Sequence, residues 1–234
     1  MKSLALVALL ALAMPASTAR VTVFAAASLA QVLPQLAPSE SYSFAGSDQL
    51  AYQIEQGAPA DVFAAASPKY PDQLYRDGLV ERPVTFATNR LILLVPAANP
   101  AGLHSVFDLR RPRIKLVIGQ KGVPIGDYTR AVLKNLDLTS VLANVVSEES
   151  DVKNIVGKVV LGQADAGFVY LTDARPAGAR AKTIRIPAWG QPKVRYELAI
   201  VRASKHFAGA RSFVKRVLGK QGRAKLAAAG FGLP

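Results

Sequence analysis

Residues 21–56 read VTVFAAASLAQVLPQLAPSESYSFAGSDQLAYQIEQ. Twice in this stretch an apolar, strand-like run stops at a serine and a helix-like run begins. The first runs through residues 21–24, then Ala25-Ala26-Ala27-Ser28, then Leu29, Val32, Leu33 and Leu36 at helical spacing. The second runs through residues 42–44, then Ala45-Gly46-Ser47, then Leu50, Gln53 and Ile54. A serine at such a junction can cap the helix. It can also offer its hydroxyl and nearby backbone N–H groups to an anion at the helix N-terminus. Two ordinary N-caps explain the pattern taken alone; two such junctions close together also suit an oxyanion pocket.

Outward from this stretch, strand-like and helix-like runs keep alternating. Further strands are predicted over residues 62–64, 91–95, 116–118, 166–169, 183–186 and 196–200. Helices are predicted over 28–36, 47–56, 68–77, 126–135, 151–161, 206–218 and 222–229. That alternation argues for an α/β fold with mainly parallel sheets. Pro96-Ala97-Ala98-Asn99-Pro100 and residues 187–192 carry the proline and glycine of extended connectors. They predict two lobes: residues 20–95 plus 191–234, and residues 96–190. The cleft between two such lobes is the natural ligand site.

The ends and the composition bound the rest. Residues 1–19 have the form of an export signal: Lys2, an apolar run over 4–14, then Ser17-Thr18-Ala19. Cleavage is predicted after Ala19, giving a periplasmic chain that begins at Arg20. No cysteine occurs anywhere. Disulfides, thiolate metal sites, cysteine nucleophiles and a lipid-anchored mature N-terminus are therefore excluded. The formal net charge is +13. The basic residues are scattered, and the run Lys215, Arg216, Lys220, Arg223, Lys225 reads as the solvated face of an amphipathic C-terminal helix. No nucleic-acid motif accompanies it, so the charge reads as a field that gathers small anions.

The predicted second lobe offers further helix starts. Val123-Pro124-Ile125-Gly126-Asp127-Tyr128 follows a strand; proline suits a first helical turn, and glycine permits close backbone approach. Ser150-Asp151-Val152 opens another helix with Asp151 as a cap, and Phe168-Val169-Tyr170 ends a strand on a phenol.

Read in order, FAAAS, FAGS-x-x-LAYQIEQGAPADVFAAAS, NRLILLVP, VPIGDY, DV and DAGFVYLTDA, spanning residues 24–174, resemble the periplasmic molybdate-binding proteins of ABC importers. The block QIEQGAPADVF is the most distinctive. The resemblance implies a type II periplasmic-binding-protein fold: two α/β lobes, a ligand cleft and two crossing segments. It implies that molybdate or tungstate is held as a tetrahedral oxyanion without counter-cations or cofactor, then delivered by a monomer to an inner-membrane permease. Carried over residue by residue, the ligand-binding contacts are the hydroxyls and N–H groups of Ser28 and Ser47, the N–H groups of Ile125 and Val152, and the phenol of Tyr170. The metal is bound only as its oxyanion, never as a bare cation. Two residues depart from the family pattern. Ile125 stands where a small alanine is usual, and Asp48 follows Ser47 where a hydroxyl residue is more common. Asp48 is expected in the first helical turn, pointing away from the anion.

A donor-only cage rejects protonated oxyanions such as hydrogen phosphate, whose proton would face a donor. Sulfate shares the charge and shape, so a relative tuned to sulfate or chromate is the nearest alternative. A secreted hydrolase is a further one. His104 and His206 lie in no metal-ligand spacing, and no nucleophile elbow or HExxH is present. Asp61, Asp151, Asp165 and Asp173 read as caps and loop hydrogen bonders. No catalytic residue is assigned.

Overall fold

The computed structural model describes residues 20–234; the expected export signal, residues 1–19, lies outside the described residues. The chain forms two five-stranded sheets. The first has the order β2-β1-β3-β10-β4, from β1 (Thr22–Ala26), β2 (Ser41–Ala45), β3 (Val62–Ala65), β4 (Val84–Asn89) and β10 (Val194–Ile200). The second has the order β7-β6-β8-β5-β9, from β5 (Leu91–Pro96), β6 (Leu116–Gly119), β7 (Val145–Glu149), β8 (Ala166–Tyr170) and β9 (Ala181–Arg185). The expectation of mainly parallel sheets needs correction. In each sheet four strands run in one direction, but the fourth in spatial order, β10 or β5, runs against both neighbours, so half of the pairings are antiparallel.

Central strands such as β1, β3 and β5 are buried along almost their whole length. Helices cover both their faces, and that is why they read as unbroken apolar runs. The helices are α1 (Val32–Leu36), α2 (Ser47–Glu55), α3 (Lys69–Arg76), α4 (Pro124–Asn135), α5 (Val152–Val160), α6 (Leu171–Ala174), α7 (Phe207–Leu218) and α8 (Lys220–Ala229). The helix expected over 28–36 is broken. A tight 3-10 turn spans Ala27–Leu29, and α1 starts only at Val32.

The lobe boundary also moves. β5 pairs with β8 and β9, for example Leu91 with Tyr170 and Leu93 with Ile184, so residues 91–95 belong to the second sheet. The chain crosses at Arg90, the single residue between β4 and β5. It does not cross at 96–100, where the prolines and Asn99 only turn the chain after β5. The return lies between Arg185 and Val194.

The floor between the sheets is aromatic. Tyr196 of β10 meets Phe86, Phe231 and Tyr170 edge to face, at centroid distances of 6.2, 5.3 and 5.8 Å, and Tyr128 continues the row 6.5 Å beyond Tyr170. This geometry is the favoured one for aromatic pairs. It runs one apolar core from the first sheet into the second.

Candidate functional site: a cage of neutral donors

The carboxyl ends of β1, β2, β6, β7 and β8 converge between the two sheets. Ser28, Ser47, Ile125, Val152 and Tyr170 all line one cavity there, and each is at most 5% exposed. The structure therefore brings together every site residue expected from the sequence. The cavity holds about 20 Å³. That exceeds the ~10–15 Å³ a single water needs and is far below the ~300–1,000 Å³ of organic-ligand pockets.

Neither serine caps its helix. Gly46 occupies the cap position of α2 and Ala26 that of the 3-10 turn, and no side chain caps either end. Both hydroxyls are instead held by protein donors. Tyr196 Oη donates to Ser28 Oγ at 3.0 Å, and the Ala66 N–H donates to Ser47 Oγ at 3.1 Å. With an acceptor site of each oxygen occupied, each serine proton is free to point into the cavity. Burial pushes the phenols of Tyr170 and Tyr196 well above their ordinary value, so both remain protonated donors. Tyr170 Oη is buried and has no hydrogen-bond partner among the described residues.

The second lobe adds backbone donors. Val123 precedes α4 with extended dihedrals and Pro124 fills its first position, leaving the Ile125 N–H in the first turn. Gly119 and Gly126 let β6 and α4 meet at backbone contact; a Cβ on Gly126 would collide with the Gly119 and Gln120 carbonyls. The side chain of Ile125 packs a γ-methyl over Gly119, into space that a larger residue at 119 would fill. At α5, the Asp151 carboxylate takes the N–H groups of Lys153 and Asn154 at 2.7 and 3.1 Å. The Val152 N–H is left over. Among the described residues, Asp151 is the one charged residue lining the cavity, and its oxygens are engaged by these groups and by Asn154 Nδ2.

Asp48 does sit in the first turn of α2. Its carboxylate folds back against Gly46 and does not line the cavity; burial raises its pKa. Of the other carboxylates, Asp165 accepts from the Lys115 N–H at 2.8 Å, and Asp61 accepts from the Thr22 N–H at 2.7 Å. Asp173 departs from its expected loop role. Its side chain is fully buried, with Lys153 Nζ 2.7 Å away; burial raises its pKa and Lys153 opposes that rise. His206 sits beside Asp61, with Nδ1 3.2 Å from the carboxylate. Among the described residues, no group of three or more His, Cys, Asp or Glu is placed to hold a metal ion.

Sequence reasoning missed Tyr196 and Ala66, which orient the two serines, because both lie far from them along the chain. The run of small residues at 25–27 and 45–46 was the available signal: it lets the backbone approach the cavity. The two lobes also touch beyond the cage. Tyr70 Oη donates to the Gly122 carbonyl at 2.6 Å, and Lys69 Nζ lies 3.3 Å from Asp127.

A family model described as bacterial extracellular solute-binding protein matches residues 21–232. The molybdate-binding protein ModA of Mycobacterium tuberculosis strain H37Rv is 38% identical over 225 residues, covering 92% of this chain and 85% of that protein. ModA of Haemophilus influenzae is 33% identical, covering 86% of this chain and 85% of that protein. Among solved structures, the Azotobacter vinelandii periplasmic molybdate-binding protein superposes with a TM-score of 0.82 at 24% identity, covering 92% of this chain and all of that one. The sulfate-binding protein SubI of M. tuberculosis superposes at 0.78 and 20% identity, covering 91% of this chain and 86% of that one. At these identities the two superpositions establish the fold.

Proposed function

We propose, on the premise that this chain belongs to the bacterial extracellular solute-binding proteins, that it captures molybdate in the interlobe cage and delivers it to an ABC-transporter permease. The observation that carries this reading is the donor set. Two serines whose oxygens accept from Tyr196 and Ala66, the buried phenol of Tyr170 and the helix-start residues Ile125 and Val152 line one small cavity; among the described residues the phenol has no partner and no cation lines the cavity.

A buried dianion must have its oxygens saturated by hydrogen bonds. Each bond to a charged acceptor is worth ~1.5–3 kcal/mol, so four already reach ~6–12 kcal/mol, the range of micromolar to nanomolar binding. Three helix starts add positive partial charge. Tungstate, with the same charge and shape, fits the same donors. The serines act as donors and not as nucleophiles: the group on Ser28 Oγ is a phenol that donates to it, not a base that takes its proton. We further propose that the protein is an exported monomer, cut after Ala19, and that its lobes close over the anion by bending at Arg90 and at the 186–193 return.

A thermal-shift panel of molybdate, tungstate, sulfate, phosphate and chromate tests the reading. A ligand that binds only the folded state raises its apparent stability. Stabilisation by molybdate and tungstate is expected. Stabilisation by sulfate alone would move the protein to sulfate capture, and no shift with any of the five would overturn the proposal. Failure of saturating molybdate to compact the protein in solution scattering would refute closure.

A further inference from the structure

The cage shares Ser28 with a second, larger cavity of about 430 Å³. One wall of this groove comes from α1 and α8 of the first lobe, the other from α5, α6 and the residues just after α6. Three cations line it: Lys225 from the first lobe, and Lys153 and Arg175 from the second. Lys153 is matched by the buried carboxylate of Asp173. Among the described residues, Arg175 and Lys225 form no ion pair. Arg175 donates to the Ala228 carbonyl at 2.8 Å, and Lys225 donates to the Gln35 carbonyl. Both carbonyls lie in the last turn of a helix. Away from the groove the lobes touch through Tyr70 on Gly122 and Lys69 on Asp127, neither pair lining it.

We propose that this groove is a charged antechamber: a first site for small tetrahedral dianions, on the path by which they reach the neutral cage. The inference rests on the oxyanion reading of the cage and adds to it a separate place for capture. The two cavities divide the work by physics. Neutral donors act at contact distance and select by geometry. The charges of Arg175 and Lys225 act over a Debye length, ~10 Å at 0.1 M salt and ~30 Å at 0.01 M. A cleft lined by one sign of charge raises association rates by ~10–1,000-fold, and salt weakens the effect steeply. The groove carries no donor geometry that separates one dianion from another, so it gathers them without choosing.

The test is stopped-flow association of molybdate with the full mature protein, followed by intrinsic fluorescence across a salt series. The double variant Arg175→Gln/Lys225→Gln should lower the association rate about tenfold at 10 mM salt, flatten its salt dependence, and leave the dissociation rate within twofold. The charge-preserving pair Arg175→Lys/Lys225→Arg should keep the wild-type rate. A control pair, Arg82→Gln/Lys134→Gln, removes the same charge from exposed positions that do not line the groove, and should change the rate less than twofold. If the double variant does not fold, Lys225→Gln alone should give about a threefold loss. An unchanged association rate, an equal loss in the control pair, or a loss confined to faster dissociation would each overturn the antechamber. The last is what helix-end capping alone would give. Wild-type protein that binds molybdate with salt-independent association refutes the antechamber alone; wild-type protein that binds no molybdate refutes the oxyanion reading itself.

Discussion

Replacing Tyr170 with phenylalanine separates a binding group from a structural one. The side chain is 1% exposed, packs edge to face between Tyr128 and Tyr196, and its hydroxyl meets no partner among the described residues. Tyr170→Phe keeps the ring and its packing, so the fold loses no hydrogen bond, and the melting temperature without anion should hold steady or rise slightly. Binding should suffer. A hydrogen bond to a charged acceptor is worth ~1.5–3 kcal/mol, which corresponds to a roughly 10- to 150-fold weaker dissociation constant. The same loss appears in thermal shifts. Molybdate at 1,000 times the wild-type dissociation constant adds ~4.1 kcal/mol of stability; a tenfold weaker variant at that concentration gains only ~2.7. At ~2–4 °C per kcal/mol for a chain of this size, the ligand-induced shift should shrink by about 3–6 °C. Calorimetric titration gives the constant directly. An affinity within twofold of wild type would refute the assignment of Tyr170 as a donor. A melting temperature that falls as far without anion as with it would show the hydroxyl to be structural.

The serines should behave differently, because each also serves the protein. Ser28→Ala and Ser47→Ala leave Tyr196 Oη and the Ala66 N–H without their acceptors, so each should lower stability by ~1–3 kcal/mol in urea titrations while the double variant loses anion binding; retained binding would return both to ordinary structural polarity. Gly126→Ala should cost ~1–3 kcal/mol and weaken molybdate binding at least tenfold, since its methyl must push α4 off the Gly119 and Gln120 carbonyls and move the Ile125 N–H; unchanged calorimetry would show that this N–H is not a contact. Asp61 supplies the pH dependence: burial raises its pKa, but hydrogen bonds from Ser204, Thr22 and His206 outweigh this and hold it below the ordinary 3.8. Its contribution is thus present above pH ~4 and lost as the pH falls through the lower folded value, so Asp61→Asn should flatten the drop in urea midpoint between pH 5 and 3.

How much of this was readable from the chain depended on burial. β3, β5 and β6 read clearly because both faces are covered and every residue is apolar. β4 and β7 did not. They are sheet edges, and the half-exposed VVSEE of β7 carries a strand's geometry without its composition. The five cage residues were readable because each stands at a strand end or helix start, which is a local property. Their roles were not. Ser28 does not cap its turn, and the group that holds its oxygen is Tyr196, on a strand 168 residues away. The crossing at Arg90 was hidden for a related reason: β4 and β5 follow each other without the proline or glycine that marked the segment after β5. The groove joins cations from three separate segments, and no spacing in the sequence announces such a set.

The position of β10 has a consequence for the order in which the molecule can be built. It lies between β3 and β4, pairing Leu198 with Ala64 on one side and Tyr196 with Ala87 on the other. Until residues 194–200 have emerged, β4 has no partner strand in its own sheet, and β3 shows an open edge to any other chain. The first lobe, begun earliest, is therefore completed late, after the whole second lobe has been synthesised. A nascent chain of this design spends most of its synthesis with an unprotected sheet edge. That open edge is exposed to aggregation until β10 pairs with it.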